Sequence, residues 1–158
     1  MAMVGSMVFP FIMISDSSGT EMFRPVIPLR IGTASSSESQ RCLVDTGSPS
    51  TFLDWRLGQL VGVNLIQAAK PHGPQKLSLD GVIADELGGA MLGFKIEDDR
   101  YRIHLGYVFA TFVRPWPIPE FKAILGTKGM KRIRVTVEAG VGDGQLTISP
   151  AGSRGKKQ

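Results

Sequence analysis

The sequence LVDTGS at residues 43–48 contains the residues best suited to chemistry in this chain. An apolar run leads into Asp45, a polar turn follows, and a second apolar run, TFL at residues 51–53, leaves the turn. An aspartate at the end of a buried strand can act as an acid or a base. The same residues also suit a plain β-turn, with Asp in its first position and Gly at an unusual backbone angle. The turn alone leaves both interpretations open.

This context resembles the active-site loop of the retropepsin-like (retroviral-type) aspartic proteases, in which an apolar pair precedes Asp-Thr-Gly and Thr-Phe-Leu follows. In that family an apolar-apolar-Gly element late in the chain passes beneath the catalytic loop and supports it. Ile124, Leu125 and Gly126 match this element. The resemblance covers roughly residues 24–149. It implies that Asp45 supplies a catalytic carboxylate.

The resemblance also implies a flap, which is a glycine-tipped β-hairpin that closes over bound peptide. The best candidate is ELGGAMLGF at residues 86–94, so we expect Leu87, Gly88 and Gly89 to form its tip and to contact substrate. Glycines permit the backbone angles and the motion of such a tip. An ordinary Gly-rich hairpin would have the same pattern. Where the family often has Arg-Asp after the late glycine, this chain has Thr127 and Lys128.

Peptide hydrolysis needs a base to activate water and an acid to polarise the carbonyl, and two adjacent carboxyls provide both. Two carboxyls held close together share one proton, so that one is charged and the other is neutral. The sequence contains one such loop, with no second Asp-Thr/Ser-Gly to complete a two-lobed, pepsin-like chain. Twofold symmetry would place two Asp45 residues side by side in a homodimer. We therefore expect a homodimeric aspartic endopeptidase that binds peptide or protein substrates as extended strands.

The resemblance implies a role for each residue that follows Asp45 in the loop. The Thr46 hydroxyls would cross-bond between the two chains, and Gly47 would leave room for the substrate backbone. Ser48 would hydrogen-bond the catalytic carboxylate, as the residue at this position does in pepsin-like relatives. Because such a bond favours the charged form, we expect an acid-shifted activity profile.

Short β-favouring runs separated by turn residues recur along the chain, a rhythm typical of an all-β barrel or sandwich. With the resemblance, this predicts an all-β, retropepsin-like closed β-barrel with one or two short helices. The predicted strands are residues 8–14, 26–31, 41–44, 51–53, 75–79, 91–96, 101–105, 107–113, 133–137 and 145–148. Apolar spacing predicts a helix over residues 55–61, and residues 127–132 could form one helical turn. Trp116, in a Pro-rich loop, either packs over the barrel or lines a substrate pocket.

The composition, with 42% hydrophobic and 20% charged residues, is that of an ordinary globular protein. We expect one domain over residues 7–150, because a chain of 158 residues has little room for a second. Residues 1–6 look like a leader left by cloning, and residues 151–158 like a basic flexible tail that carries most of the net charge of +4. The sequence has no basic stripe interleaved with aromatic residues, so no nucleic-acid partner is expected.

Cys42, His72 and His104 lack the spacing of metal ligands, and neither a metal nor another cofactor is expected. Because Cys42 is the only cysteine, no disulfide can form within the chain, which is compatible with a reducing cytoplasm. The apolar run at residues 8–14 is too short to span a bilayer, so no membrane partner is expected. Two other functions stay open: a catalytically weak or inactive retropepsin-like module for dimerisation or peptide binding, and a β-barrel binding domain whose motif is only a turn.

Overall fold

Most of the residues that the structure describes lie in β-strands, as the sequence predicted. The computed structural model describes residues 5–16 and 18–151. The predicted tail at 151–158 lies outside these ranges apart from its first residue, as does most of the predicted leader at 1–6. The described strands are β1 (Met7–Pro10), β2 (Ile12–Ser15), β3 (Glu21–Arg24), β4 (Val26–Gly32), β5 (Ser37–Val44), β6 (Thr51–Asp54), β7 (Gln75–Leu79), β8 (Val82–Glu97), β9 (Arg102–Arg114), β10 (Ala123–Leu125), β11 (Ile133–Glu138) and β12 (Gln145–Pro150).

Seven strands form the main sheet, in the order β4-β5-β10-β6-β9-β8-β7. Strand β4 also pairs with β8, through Arg30↔Lys95, Ile31↔Phe94 and Gly32↔Gly93. Six strands are therefore hydrogen-bonded into a closed ring, and β7 is attached to β8 outside the ring. The three-residue strand β10 lies between β5 and β6 and pairs with both.

The predicted strand at residues 8–14 is wrong as a single element, because its two halves belong to different sheets. Strand β1 pairs with β12, which also pairs with β11, whereas β2 forms a separate hairpin with β3. The chain changes sheet at Phe11, whose backbone N–H donates to the Gly144 carbonyl at 2.9 Å. The apolar run continues through this change because each half still packs a side chain against the core, Phe9 in one and Ile14 in the other.

Two predicted strands, residues 101–105 and 107–113, are one strand in the structure. Gly106 interrupts the apolar pattern in the sequence, but here it adopts a φ of +78° within β9. The register between β8 and β9 shifts between Phe94 and Lys95, so Phe94 pairs with Gly106 and Lys95 pairs with His104. An extra residue of this kind makes a β-bulge, which bends the strand without ending it.

The predicted helix at residues 55–61 is confirmed as α1 (Trp55–Leu60), with Asp54 as its N-cap. The Asp54 carboxylate accepts from the Arg56 backbone N–H at 3.1 Å, which satisfies one of the free donors at the helix start. A second short helix, α2 (Leu65–Ala68), was not predicted; Asn64 caps it in the same way. The helical turn predicted at residues 127–132 is shorter, a 3-10 turn at Thr127–Gly129.

The buried side chains form two clusters, one on each side of the strands that lead to Asp45. The larger cluster lies inside the ring and includes Leu53, Phe112 and Leu125. The smaller one includes Leu43, Phe121 and Ile124. Trp116 belongs to the smaller cluster, and its indole N–H donates to the Phe121 carbonyl at 2.7 Å. Of the two interpretations of Trp116, packing is therefore the correct one.

Candidate functional site

Asp45 follows the last residue of β5, at the point where the strand leaves the core. Its backbone N–H donates to the Leu125 carbonyl at 3.0 Å, so the loop stays attached to β10 for one residue beyond the strand. Its carboxylate accepts from the Gly47 backbone N–H at 2.9 Å. A short turn closed by an aspartate side chain in this way orients the carboxylate before any ligand binds.

Strand β10 lies directly under the Asp45 loop and holds its two ends together. Ile124 pairs with Leu43 of β5 on one side and with Phe52 of β6 on the other. Leu125 pairs with Val44, immediately before Asp45. The structure thus places Ile124 and Leu125 between the strand that enters the loop and the strand that leaves it.

Gly126 is in closest contact with the loop backbone. A Cβ atom on Gly126 would overlap the Ser50 carbonyl oxygen and lie 2.8 Å from the Ser48 carbonyl oxygen. No side chain fits there, which explains the glycine by close approach rather than by its φ. The next two residues also bind the loop, since the Thr127 N–H donates to the Ser48 carbonyl at 2.7 Å and the Lys128 N–H to the Pro49 carbonyl at 3.1 Å.

Thr51, the first residue of the Thr-Phe-Leu run that follows the loop, completes this support. It is 2% exposed, and its hydroxyl accepts from the Gly126 backbone N–H at 3.0 Å. A buried N–H without a partner would cost about 1–3 kcal/mol, so this bond matters for the position of the whole segment. The sequence did not predict this bond, because it joins residues 75 apart.

Asp45 and Ser48 open into a cleft of about 250 Å³, which we call the Asp45 cleft. Its apolar lining comes from both strands beside β10 and from the loop after β9. Its polar rim comes from β3 and from the turn between β7 and β8. The lining residues besides Asp45 and Ser48 are Leu43, Phe52, Ile118, Phe121, Ile124, Arg24, Ser78, Leu79 and Asp80.

The hairpin that borders this cleft is formed by β7 and β8, and its tip is Asp80-Gly81. Both tip residues have positive φ, +53° for Asp80 and +80° for Gly81, and Leu79 pairs with Val82 across them. Positive φ at both central residues is the condition for the two-residue turn that suits hairpins. The Asp-Gly dipeptide was the signal in the sequence that could have located this turn.

The prediction that Leu87, Gly88 and Gly89 form a hairpin tip is wrong. They lie inside β8, where Gly88 pairs with Phe112 and Gly89 with Thr111. Gly88 has a φ of +140° at a register shift between β8 and β9. It also forms an isolated β-bridge with Ala69. A glycine is therefore needed here for the bulge and for the close approach of the Ala69 segment. Hairpin formation requires the chain to reverse, and here it does so six residues earlier.

Arg24 and Asp80 form a charged pair at the cleft rim, with 3.6 Å between Nη1 and Oδ1. The Arg24 guanidinium also lies over the Phe121 ring, 5.6 Å from its centroid. Neither residue was identified from the sequence, because Arg24 precedes Asp80 by more than fifty positions and no local pattern connects them.

The loop residues after Asp45 are arranged differently from what the resemblance implied for Ser48. The Ser48 hydroxyl donates to the Ser50 carbonyl at 3.0 Å, not to the Asp45 carboxylate. Ser48 therefore gives no support to the expected acid-shifted profile. Thr46 and Gly47 are exposed and Asp45 is partly exposed. Among the residues that the structure describes, the Thr46 hydroxyl has no hydrogen-bond partner.

The other groups with reactive side chains do not join this site. Cys42 is fully buried on β5, and burial raises the pKa of its thiol, which keeps it protonated. Within residues 5–16 and 18–151, no group of three His, Cys, Asp or Glu side chains could hold a metal ion. Over the same residues, no helix is long and apolar enough to cross a bilayer.

Comparisons with known proteins give little further information. No protein-family model matches the chain, and no curated protein matches it. One similar solved structure is a crystal structure of a retropepsin-like aspartic protease from Rickettsia conorii. The alignment covers 96% of this chain and 100% of that chain, with 14% sequence identity and a TM-score of 0.48. A likeness at this level carries no argument about the activity of this chain.

Proposed function

We propose that this protein is an aspartic endopeptidase in which two Asp45 carboxyls of a symmetric homodimer activate water between them. The observation that carries the proposal is the position of Asp45 on a loop held from beneath by β10 and opening into a cleft. The loop is held through the Leu125 carbonyl, which accepts from the Asp45 N–H at 3.0 Å. A preorganised carboxylate at the mouth of an apolar cleft suits hydrolysis of a bound peptide.

The second carboxyl has to come from another copy of the chain. Asp80 also lines the Asp45 cleft, but it is paired with Arg24. The mechanism requires two carboxyls that share one proton, whereas the Asp80 carboxylate already contacts the Arg24 guanidinium at 3.6 Å. The exposed Thr46 next to Asp45 supports a twofold axis here. In a symmetric dimer, the Thr46 hydroxyls of the two chains would hydrogen-bond each other.

In this dimer the two carboxyls have different tasks at any moment. The charged one accepts a proton from water, and the protonated one donates a hydrogen bond to the substrate carbonyl. The tetrahedral intermediate then breaks down as a proton moves to the amide nitrogen, so the pair ends in its starting state. The apparent pKa values of activity would belong to the pair rather than to either Asp45.

The β7–β8 hairpin is the part of the proposed enzyme that would cover bound peptide. Its tip lies at the cleft, and its connection to the ring is through β8 alone. We assign to it the flap role that the sequence suggested for residues 87–89. With this assignment, the closed ring of strands corresponds to the barrel of a retropepsin-like fold.

One observation favours the alternative, a retropepsin-like module for dimerisation or peptide binding without catalysis. Ser48 does not hydrogen-bond the Asp45 carboxylate in this structure. If the loop keeps this arrangement in the dimer, the carboxylate has one fewer donor to stabilise its charged form. Such a module would still bind peptide in the cleft and would still dimerise.

Cleavage assays with Asp45→Asn separate the two functions. Wild-type protein should cleave peptides from a broad library and be inhibited by a statine-type peptide, which mimics the tetrahedral intermediate. Asp45→Asn should abolish cleavage while dimerisation, followed by sedimentation, is unchanged. Absence of cleavage by the wild type at acid and neutral pH would refute the enzyme and leave the binding module. Sedimentation as single chains at all working concentrations would refute both.

A further inference from the structure

A row of basic side chains crosses three strands on the outside of the ring, away from the Asp45 cleft. Arg30 of β4 pairs with Lys95 of β8, and Lys95 pairs with His104 of β9, so the three lie side by side on one face. Like charges directly opposite each other on neighbouring strands destabilise a sheet. Acidic groups of the protein or of a ligand would therefore stabilise this part of the sheet.

Glu97 supplies the one carboxylate within this row. It accepts from Arg30 Nε at 3.0 Å and from Arg102 Nε at 3.2 Å. The hydrogen bond from Arg30, with smaller effects from Lys95 and Arg102, lowers the pKa of Glu97. One carboxylate thus faces three permanent cations, and Lys95 is left without an ion-pair partner among the described residues.

The positive charge extends into two adjoining concavities that share His104. The first, of about 370 Å³, is lined by Arg30, Lys95 and His104, and the second, of about 600 Å³, by Arg102, Lys131 and Arg132. The Arg132 guanidinium connects them, because it lies against Gly106, which lines the first. Among the residues described, no Asp or Glu lines either concavity.

Apolar side chains continue the same face along β8 and β9. Tyr107 is 76% exposed and lines the first concavity beside Lys95. Met91 and Phe109, directly opposite each other in the register, are 58% and 57% exposed. Tyr107, Met91 and Phe109 thus form a contiguous exposed apolar patch. A patch of this kind indicates an interaction surface, whereas single exposed apolar residues do not.

We propose that this surface, formed by Arg30, Lys95, His104, Arg132, Tyr107 and the Met91–Phe109 pair, binds an acidic polypeptide segment that carries apolar side chains. Glutamates or aspartates would lie against Arg30 and Lys95, and an aromatic or aliphatic side chain would pack on Tyr107 and Phe109. A second copy of this chain is a poor occupant, because twofold docking would oppose cations to cations. The exposed Met91 and Phe109 side chains, which continue the face along β8 and β9, suit the apolar side chains of a peptide better than a phosphate backbone.

The proposal does not depend on Asp45, so it can be tested in the Asp45→Asn variant of the 158-residue chain, which under the proposed function does not cleave the probe. The probe is a fluorescent synthetic peptide of glutamates interspersed with phenylalanines. A matched peptide with glutamine in place of every glutamate measures the charge contribution. Titrations are done at an ionic strength of about 0.15 M, where attraction between distant exposed charges is screened.

Lys95→Gln and Tyr107→Ser should each weaken binding of the acidic peptide by about five- to tenfold, as expected for one contact in an interface. Both variants leave the Arg30–Glu97 pair in place, and thermal unfolding checks that they fold. Arg134→Gln removes an exposed cation of β11 that lines neither concavity, and it should leave the affinity unchanged.

Three outcomes would overturn the proposal. One is no binding of the acidic peptide, and another is equal weakening by Arg134→Gln, which would indicate attraction to net charge alone. The third is tighter binding of a single-stranded oligonucleotide that is lost with Lys95→Gln and Tyr107→Ser, since this would assign the surface to nucleic acid. If the wild-type protein does not cleave peptides, the proposed role of Asp45 fails. The binding of the acidic peptide to this surface would not be affected by that outcome.

Discussion

Arg24 and Asp80 lie 3.6 Å apart across the rim of the Asp45 cleft and connect β3 to the tip of the β7–β8 hairpin. The Arg24 and Asp80 side chains are 21% and 18% exposed, so the pair is partly shielded from water. This contact joins the hairpin tip to the body of the protein at the point where a peptide would enter. If the hairpin is the flap proposed above, we expect this pair to act as its latch.

Removing the latch should loosen the hairpin more than it destabilises the protein. In Arg24→Gln, amide hydrogen exchange should be faster in the β7–β8 hairpin, while the free energy of unfolding changes by about 1 kcal/mol or less, as for a rim ion pair. Lys76→Gln is the control, because it breaks the Lys76–Asp85 pair of the same hairpin at 2.7 Å but does not involve the tip. Equal exchange in wild type and Arg24→Gln would argue against a latch.

Gly126→Ala tests how tightly β10 fits beneath the loop. The new Cβ would overlap the Ser50 carbonyl oxygen, so the loop or β10 must shift, and we expect a loss of about 1–3 kcal/mol in urea unfolding. Gly140→Ala serves as the control, since nothing lies within 4 Å of its Cβ position. Similar stabilities for the two variants would show that the loop adapts without cost.

Thr51→Val tests the hydrogen bond from the Gly126 N–H to the buried threonine hydroxyl. Valine keeps the shape but leaves the N–H without an acceptor, which should lower the free energy of unfolding by about 1–3 kcal/mol. Thr51→Ser keeps the acceptor and should retain more of the stability than Thr51→Val. If the serine variant is the less stable of the two, packing of the methyl group outweighs the hydrogen bond.

The pH dependence of stability should show the contribution of Glu97. Its pKa is lowered in the folded protein, chiefly by the Arg30 hydrogen bond, from an ordinary value of 4.5. The unfolded chain therefore takes up the proton first as the pH falls. The stabilisation is complete above pH 4.5 and is lost as the pH falls through the lowered folded value.

Chemical denaturation of wild type and Glu97→Gln between neutral and acid pH measures this effect. The stability difference between them should be constant near neutrality and shrink below pH 4.5. Glu21→Gln, at an exposed position of β3, provides a charge-matched control. A difference that grows as the pH falls would show that the Glu97 contacts stabilise the protonated form.

Local patterns in the sequence were sufficient for much of the fold and for the centre of the site. Alternating apolar runs predicted most strands, since side chains on a half-buried strand follow a period of two. The apolar run ending at Asp45 and the late Ile124-Leu125-Gly126 element also identified the segments that the structure brings together. The Asp80-Gly81 turn was equally visible, but the Gly-rich run at residues 86–94 was mistaken for it.

The relationships that depend on register and topology were decided by the tertiary structure. The pairing of Arg30, Lys95 and His104 requires three strands in one particular alignment, and a shift of one residue would turn Lys95 to the other face. The Arg24–Asp80 and Thr51–Gly126 contacts likewise join distant positions. By itself the sequence determined which segments extend, where they turn and which acid lies at a strand end, because these depend on neighbours in the chain. Which side chains face each other depends on how the strands are aligned when the ring closes.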